Sequence, residues 1–184
     1  MGKITLVLGG TKTGKTSFAQ NSAQEIQDTE SGSEVLYIAT ARVLDEEMAD
    51  RVKKHIASRP SSWKTWEKSR ELHVELSQQS SGCSAVILDC LTMLMTNIIL
   101  DQGEEAERDE VQKIVEQEIE LLITACKTID ANIFIISNQV ENGLVSPTYL
   151  GRLFQDLSGL LHQYIARNAD HVYLMTAGIP QKLK

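Results

Sequence analysis

The run Gly9-Gly10-Thr11-Lys12-Thr13-Gly14-Lys15-Thr16 has the spacing G-x-x-x-x-G-K-[ST] and stands between an apolar stretch, Ile4 to Leu8, and a segment of helical character that begins near Lys15. Glycines at those positions let the chain curl so that successive backbone N–H groups converge on phosphate oxygens at the positive end of a helix. In such a cradle Gly9 to Thr16 bind a nucleotide, Lys15 reaches its β- and γ-phosphates, and the Thr16 hydroxyl is expected to ligate Mg²⁺. Phosphoryl transfer also needs a carboxylate close to the metal. Asp89 closes the run Ala85-Val86-Ile87-Leu88, and an acid at the carboxyl end of a parallel strand lies on the edge where ligands bind. Its competing reading is a cap for the helix starting near Thr92. Asp45, Glu46 and Glu47 form a rival acidic group, but they open a helix, where negative charge is favoured regardless of any metal.

A nucleophile is the next requirement. Among His55, His73, His162 and His171, the last three are expected in surface or core-edge roles, and no H-x-x-x-H spacing suggests a histidine metal site. His55 differs. Arg51 lies four residues before it and so shares its face on a helix, with Lys54 and Arg59 close by in sequence. A neutral imidazole flanked by cations is suited to attack a phosphorus atom whose oxygens those cations neutralise, although an exposed basic helix face would have the same composition. On these residues alone, a small-molecule kinase or a nucleotide-binding protein without turnover would explain the loop and Asp89 while leaving the His55 segment idle.

The elements that must position these groups follow from the apolar pattern. Short Val/Ile-rich runs are expected as strands at Lys3 to Leu8, Glu34 to Ile38, Ser84 to Leu88, Asn132 to Ile136 and His171 to Met175. They show little polar alternation, which predicts a largely parallel sheet covered on both faces. Helical spacing fills Lys15 to Gln27, Leu44 to Ser58, Leu91 to Leu100, Asp109 to Thr128 and Thr148 to Asn168, and more weakly Glu71 to Gln79. The segments Asp28 to Ser33 and Asp101 to Glu105 read as polar loops.

The 184 residues carry 42% apolar side chains, enough for one core, and residues 1–184 are expected to form a single domain. A net charge of −7 argues against a nucleic-acid partner recognised through many phosphates. Cys83, Cys90 and Cys126 are too widely spaced for zinc or thiol exchange, and no apolar run approaches a membrane span, so a cytoplasmic protein is expected.

Further segments make the sequence recognisable. They are Val35-Leu36-Tyr37-Ile38-Ala39-Thr40-Ala41, the core E-M-x-x-R-[IV]-x-x-H-x-x-x-R-P-x-x-W between Glu47 and Trp63, and Leu88-Asp89-Cys90-Leu91-Thr92 through Asn97. Ser137-Asn138-Gln139-Val140, Gly143-Leu144-Val145, Arg152-Leu153-Phe154-Gln155-Asp156 and Ala177-Gly178-Ile179-Pro180 follow in order. With the phosphate loop, they resemble the bifunctional adenosylcobinamide kinase/adenosylcobinamide-phosphate guanylyltransferase family of cobalamin assembly over essentially the whole chain. The resemblance implies an α/β fold of the RecA-like P-loop NTPase type, with a mostly parallel central sheet, helices on both faces, and assembly as a homotrimer.

It also implies two reactions, with ATP and GTP as substrates and Mg²⁺ as cofactor. Adenosylcobinamide receives a γ-phosphate. His55 matches the family's nucleophile, which takes GMP from GTP and passes it to adenosylcobinamide phosphate, while Arg51 and Arg59 bind the nucleotide beside it. Two positions depart from the family pattern. Gln139 stands where a glutamate is customary, with Glu141 two residues on, and Gln155 replaces the arginine of the usual F-R-D.

Overall fold

The computed structural model describes residues 2–30, 32–42, 46, 50, 59–103 and 106–184. The strands are β1 (Ile4–Gly9), β2 (Glu34–Ala39), β3 (Lys64–Glu67), β4 (Cys83–Asp89), β5 (Asn132–Asn138), β6 (His171–Thr176) and β7 (Ile179–Lys182). The helices are α1 (Lys15–Thr29), α2 (Leu72–Gln79), α3 (Leu91–Asp101), α4 (Arg108–Cys126) and α5 (Tyr149–Asn168), with a 3₁₀ turn at Val140–Asn142. All seven strands form one sheet in the order β3-β2-β4-β5-β1-β6-β7. Every pairing is parallel except β6 with β7. This is an α/β architecture consistent with the P-loop NTPase fold.

The five expected strands are present, each within a residue or two of its expected limits. The two additional strands lie at the sheet edges, where no apolar run is needed. β3 is a four-residue segment with mostly exposed side chains, and β7 is fully exposed and contains Pro180. Short, polar or proline-bearing strands suit an edge because they discourage pairing with another chain. A two-residue turn joins β6 to β7, with Ala177 at φ 51° and Gly178 at φ 83°, the sign that a tight hairpin of this hand requires.

Period-two alternation divides the core between the two faces of the sheet. On one face Ala19 and Ala23 of α1 pack against Val35, Tyr37, Ala85, Ile87, Phe134 and Ile136, together with Trp63. The other face carries Leu6, Leu36, Val86, Leu88, Ile133 and Ile135 beneath helices α2 to α5. In α4 a stripe at helical spacing is buried: Val111, Val115, Ile119 and Leu122 face inward, and so does Glu118. Glu118 is tolerated there because its carboxylate accepts from Arg70 Nε (2.9 Å) and from the backbone N–H of Glu71 (2.7 Å).

The limits of several helices shift slightly. α1 continues through Asp28 and Thr29, taking in the start of the expected loop, and α3 ends at Asp101, whose carboxylate meets Arg42 and Arg70. The helix expected from Leu44 to Ser58, carrying Arg51 and His55, lies outside the described residues except for Glu46 and Asp50, which are both helical. Among the described residues no helix is long and apolar enough to cross a membrane.

Candidate functional site

The loop between β1 and α1 is shaped by positions that suit few side chains. Gly9 has φ 150°, and a Cβ there would sit 2.6 Å from the Met175 carbonyl oxygen and 2.7 Å from Thr13 Oγ1. Gly14, immediately before α1, has φ 96° and faces Gly178 of the β6–β7 turn, with 3.3 Å available to a Cβ. Lys12 occupies the left-handed region at φ 59°. The curl is closed from within, since Thr13 Oγ1 donates to Gly10 O (2.9 Å) and Lys15 Nζ donates to the same carbonyl (2.6 Å). It is also tied from outside. The Gly178 N–H donates to Thr13 O (3.1 Å), and the Gln139 N–H donates to Gly9 O (3.2 Å). The edge hairpin and the end of β5 therefore buttress the phosphate loop.

Thr16 and Asp89 meet at the carboxyl edge of the sheet. Thr16 Oγ1 donates to Asp89 Oδ2 at 3.0 Å. Two hard oxygen donors about 3.0 Å apart match neighbouring corners of an octahedron with metal–oxygen bonds of about 2.1 Å, the geometry Mg²⁺ demands. A capping role for Asp89 is not observed, because α3 is capped instead by the Cys90 sulfur, which accepts from the Met93 N–H. Lys15 is 8% exposed. Burial holds its pKa below the ordinary lysine value, an effect opposed by Cys90 and by the Asp89 carboxylate.

Tyr37 is a member of this site that the sequence did not single out. It is fully buried in β2, and its hydroxyl donates a short hydrogen bond to the oxygen of Asp89 that Thr16 also contacts. Burial pushes the phenol pKa well above the tyrosine range, and the Asp89 carboxylate pushes it in the same direction. Arg59 stacks on the outer side, its guanidinium carbon 3.6 Å from the centre of the Tyr37 ring. Arg59 Nε and Nη1 are buried without a hydrogen-bond partner among the described residues, so the cation has donors to offer an anion. Tyr37 thus links Arg59, from the basic segment, to Asp89. The chain leaving that segment is fixed by Trp63, which is buried and donates from Nε1 to Gln27 Oε1 (3.1 Å). His55 and Arg51 themselves fall outside the described residues.

Of the two positions that depart from the family pattern, Gln155 is held through its side chain and Gln139 through its backbone N–H. Gln155 Nε2 donates to Val140 O (3.2 Å) and Leu144 O (3.0 Å), while its Oε1 accepts from the Ser146 N–H (2.9 Å). It therefore stitches residues 140–146 onto α5. Gln139 follows the end of β5, where its N–H contacts the phosphate loop. Glu141 lies on the 3₁₀ turn and faces α5, where Oε1 meets His162 Nδ1 (2.8 Å) and Oε2 accepts from Ser158 Oγ (3.2 Å).

A glycine-shaped loop between a strand and a helix, with a hydroxyl at its end facing the carboxylate of a strand two positions away in the sheet, defines a P-loop nucleotide-binding α/β protein. The cobinamide kinase / cobinamide phosphate guanyltransferase family model matches residues 5–183, and the chain belongs to that family. The bifunctional adenosylcobalamin biosynthesis protein CobU of Escherichia coli (strain K12) is 34% identical over 98% of this chain and 99% of its own length. Its namesake in Salmonella typhimurium is 33% identical with the same coverage. The bifunctional adenosylcobalamin biosynthesis protein CobP of Pseudomonas aeruginosa is 35% identical over 97% of this chain and 96% of its own length.

Proposed function

We propose that this chain, working as one domain over residues 1–184, phosphorylates adenosylcobinamide with ATP or GTP. It then transfers GMP from GTP to adenosylcobinamide phosphate, giving adenosyl-GDP-cobinamide for cobalamin biosynthesis. The observation that carries the reading is the family match over residues 5–183. The geometry of the loop supports its kinase half.

In the kinase step, Gly9, Gly10, Thr11, Lys12, Thr13 and Gly14 present backbone N–H groups to the phosphates. Lys15 exchanges its internal bond to Gly10 O for a γ-phosphate oxygen as the terminal hydroxyl of the cobinamide arm attacks the γ-phosphorus, losing its proton to solvent while the bond to the β-phosphate oxygen breaks and the nucleoside diphosphate leaves. Thr16 and Asp89 are the residues that would hold Mg²⁺, which supplies positive charge to the phosphate oxygens. Tyr37 holds Asp89 in place through the carboxylate oxygen that Thr16 also contacts.

In the transferase step, a ring nitrogen of His55 attacks the α-phosphorus of GTP, pyrophosphate leaves, and the resulting phosphoramidate donates GMP to the cobinamide phosphate. Imidazole suits both halves of this exchange, being substantially unprotonated near neutral pH and a good leaving group once protonated. Arg51 and Arg59 neutralise the α-phosphate during the attack. The unsatisfied donors of Arg59 favour that role. We place the enzyme in the cytoplasm as a homotrimer, an assembly that sedimentation would test.

Incubation with Mg²⁺ and GTP labelled at the α-phosphate tests the transferase half. The expected product is an acid-labile, base-stable protein adduct that is lost in His55→Asn. A wild-type chain without the adduct, or an adduct that persists in the variant, would remove the transferase assignment.

A further inference from the structure

The face of the sheet opposite Tyr37 carries a continuous chain of hydrogen bonds that the proposed reactions do not use. The Asn138 N–H donates to Thr92 Oγ1 at 2.8 Å. Thr92 Oγ1 lies 3.2 Å from Ser137 Oγ, which lies 2.7 Å from His162 Nε2. His162 Nδ1 is 2.8 Å from Glu141 Oε1, and Ser158 Oγ donates to the second oxygen of that carboxylate. Ser137 is 1% exposed, His162 6% and Thr92 8%. The chain passes from a turn near the surface through α5 and the sheet to α3.

Donor counting fixes its direction. Nδ1 faces a carboxylate at hydrogen-bond distance and must carry a proton, because two lone pairs would repel there. A proton on Nε2 as well would turn the Ser137 hydroxyl towards Thr92, whose own proton would then lack an acceptor in the chain, so Nε2 accepts from Ser137. The Ser137 oxygen is left to accept the Thr92 proton, and Thr92 in turn accepts from the Asn138 N–H. In this one arrangement each donor meets an acceptor. It ends on the last residue of β5, which pairs with Gly9 of the phosphate loop on one side, while Ile136 in the same strand pairs with Asp89 on the other. The adjoining Gln139 N–H donates to Gly9 O.

We propose that His162 is a positioning residue: held by Glu141, it acts through Ser137 and Thr92 to fix the end of β5 between the phosphate loop and Asp89. The carboxylate at position 141 is thus committed to the interior, and this chain holds its central strand with a histidine relay. The consequence for catalysis rests on the proposed kinase activity, whereas the relay itself can be tested without turnover.

The test compares the full-length wild type with His162→Leu, His162→Gln and Leu161→Ala. Leu161 is buried beside His162 on α5 and lies outside the relay, so its loss serves as the packing control. Amide exchange of Asn138 is measured by NMR relative to that of Ile135 in the same strand. Phosphoryl transfer to adenosylcobinamide is measured alongside.

Removing the relay is expected to speed Asn138 exchange about tenfold relative to Ile135, as the loss of a supporting hydrogen bond would. It should also lower kcat about tenfold with little change in the nucleotide KM. His162→Gln, whose amide offers one acceptor and one donor, should restore both. Leu161→Ala should lower Tm without either effect. Unchanged Asn138 protection in His162→Leu, or the same loss of kcat in Leu161→Ala at matched Tm, would overturn the proposal. So would faster exchange with unaltered kcat. If the wild type turns over neither substrate, the proposed function fails while the exchange comparison still decides the relay.

Discussion

Tyr37→Phe removes one hydroxyl and nothing else from the centre of the candidate site. The ring remains, so its burial and the stack with Arg59 are preserved, and Thr16 still donates to Asp89 at 3.0 Å. What disappears is a hydrogen bond from a fully buried phenol to a carboxylate. Hydrogen bonds to charged groups contribute about 1.5–3 kcal/mol. In a chain of this length each kcal/mol moves Tm by roughly 2–4 °C, so Tyr37→Phe should melt about 3–12 °C below the wild type. Urea unfolding with linear extrapolation measures the loss directly, and a cycle with Asp89→Ala assigns it. In the Asp89→Ala background the same tyrosine change should cost less by about 1.5–3 kcal/mol, since the acceptor is already gone. The phenol pKa is raised on folding, so this stabilisation is complete below the ordinary tyrosine pKa of about 10 and fades as pH climbs beyond it. The alkaline limb of the stability profile should therefore be shallower in Tyr37→Phe. A loss below about 0.5 kcal/mol, or an equal loss in both backgrounds, would refute the claim that Tyr37 holds Asp89.

Gly9→Ala should cost about 2–5 kcal/mol in urea unfolding and abolish nucleotide binding, because its Cβ would collide with the Met175 carbonyl. Gly10→Ala is the contrasting control, since the nearest atom to its Cβ is 3.6 Å away. Gln155→Arg restores the residue customary in the family but cannot accept from the Ser146 N–H; a loss of about 1 kcal/mol and faster amide exchange at Ser146 are expected. Burial pushes the thiols of Cys90 and Cys126 up to about 12, so both should resist a thiol reagent at pH 8 in the native protein and react in denaturant. Each raised thiol contributes stability that is intact below about pH 9 and lost at about 1.4 kcal/mol per pH unit as pH rises towards 12, which alkaline unfolding curves would register.

What the sequence disclosed depended on how local the cause was. The phosphate loop was readable because its geometry is set by adjacent residues: glycine at φ 96° followed by Lys15 and Thr16 is a short-range instruction. The buried strands were readable for a similar reason, since unbroken runs such as Ala85-Val86-Ile87-Leu88 have few other uses. The edge strands β3 and β7 were not, because exposed four-residue segments are held by the neighbour they pair with and carry no apolar signature. Tyr37 sat in a recognised motif, but its polar tip acquires meaning only when β2 and β4 align and bring it to Asp89. The cue was a tyrosine amid buried aliphatics, whose hydroxyl must find a partner.

The relay was hidden for a deeper reason. Gly9 and Asp89 belong to strands that do not touch, and the strand between them, β5, is separated from both by long stretches of chain. Whatever ends β5 must stand between the loop and the carboxylate, so its support bears on both of them. That support comes from Thr92, Glu141 and His162, residues on three elements with no common spacing. His162 could be read from α5 alone only as a polar residue near a core edge. Its role emerges from the handed order of the sheet together with the 3₁₀ turn that brings Glu141 back onto α5. A carboxylate that an extended segment would have directed elsewhere is thereby pointed at an imidazole, and residues 139 and 141 serve neighbouring elements: the backbone of Gln139 holds the loop while the side chain of Glu141 holds the strand.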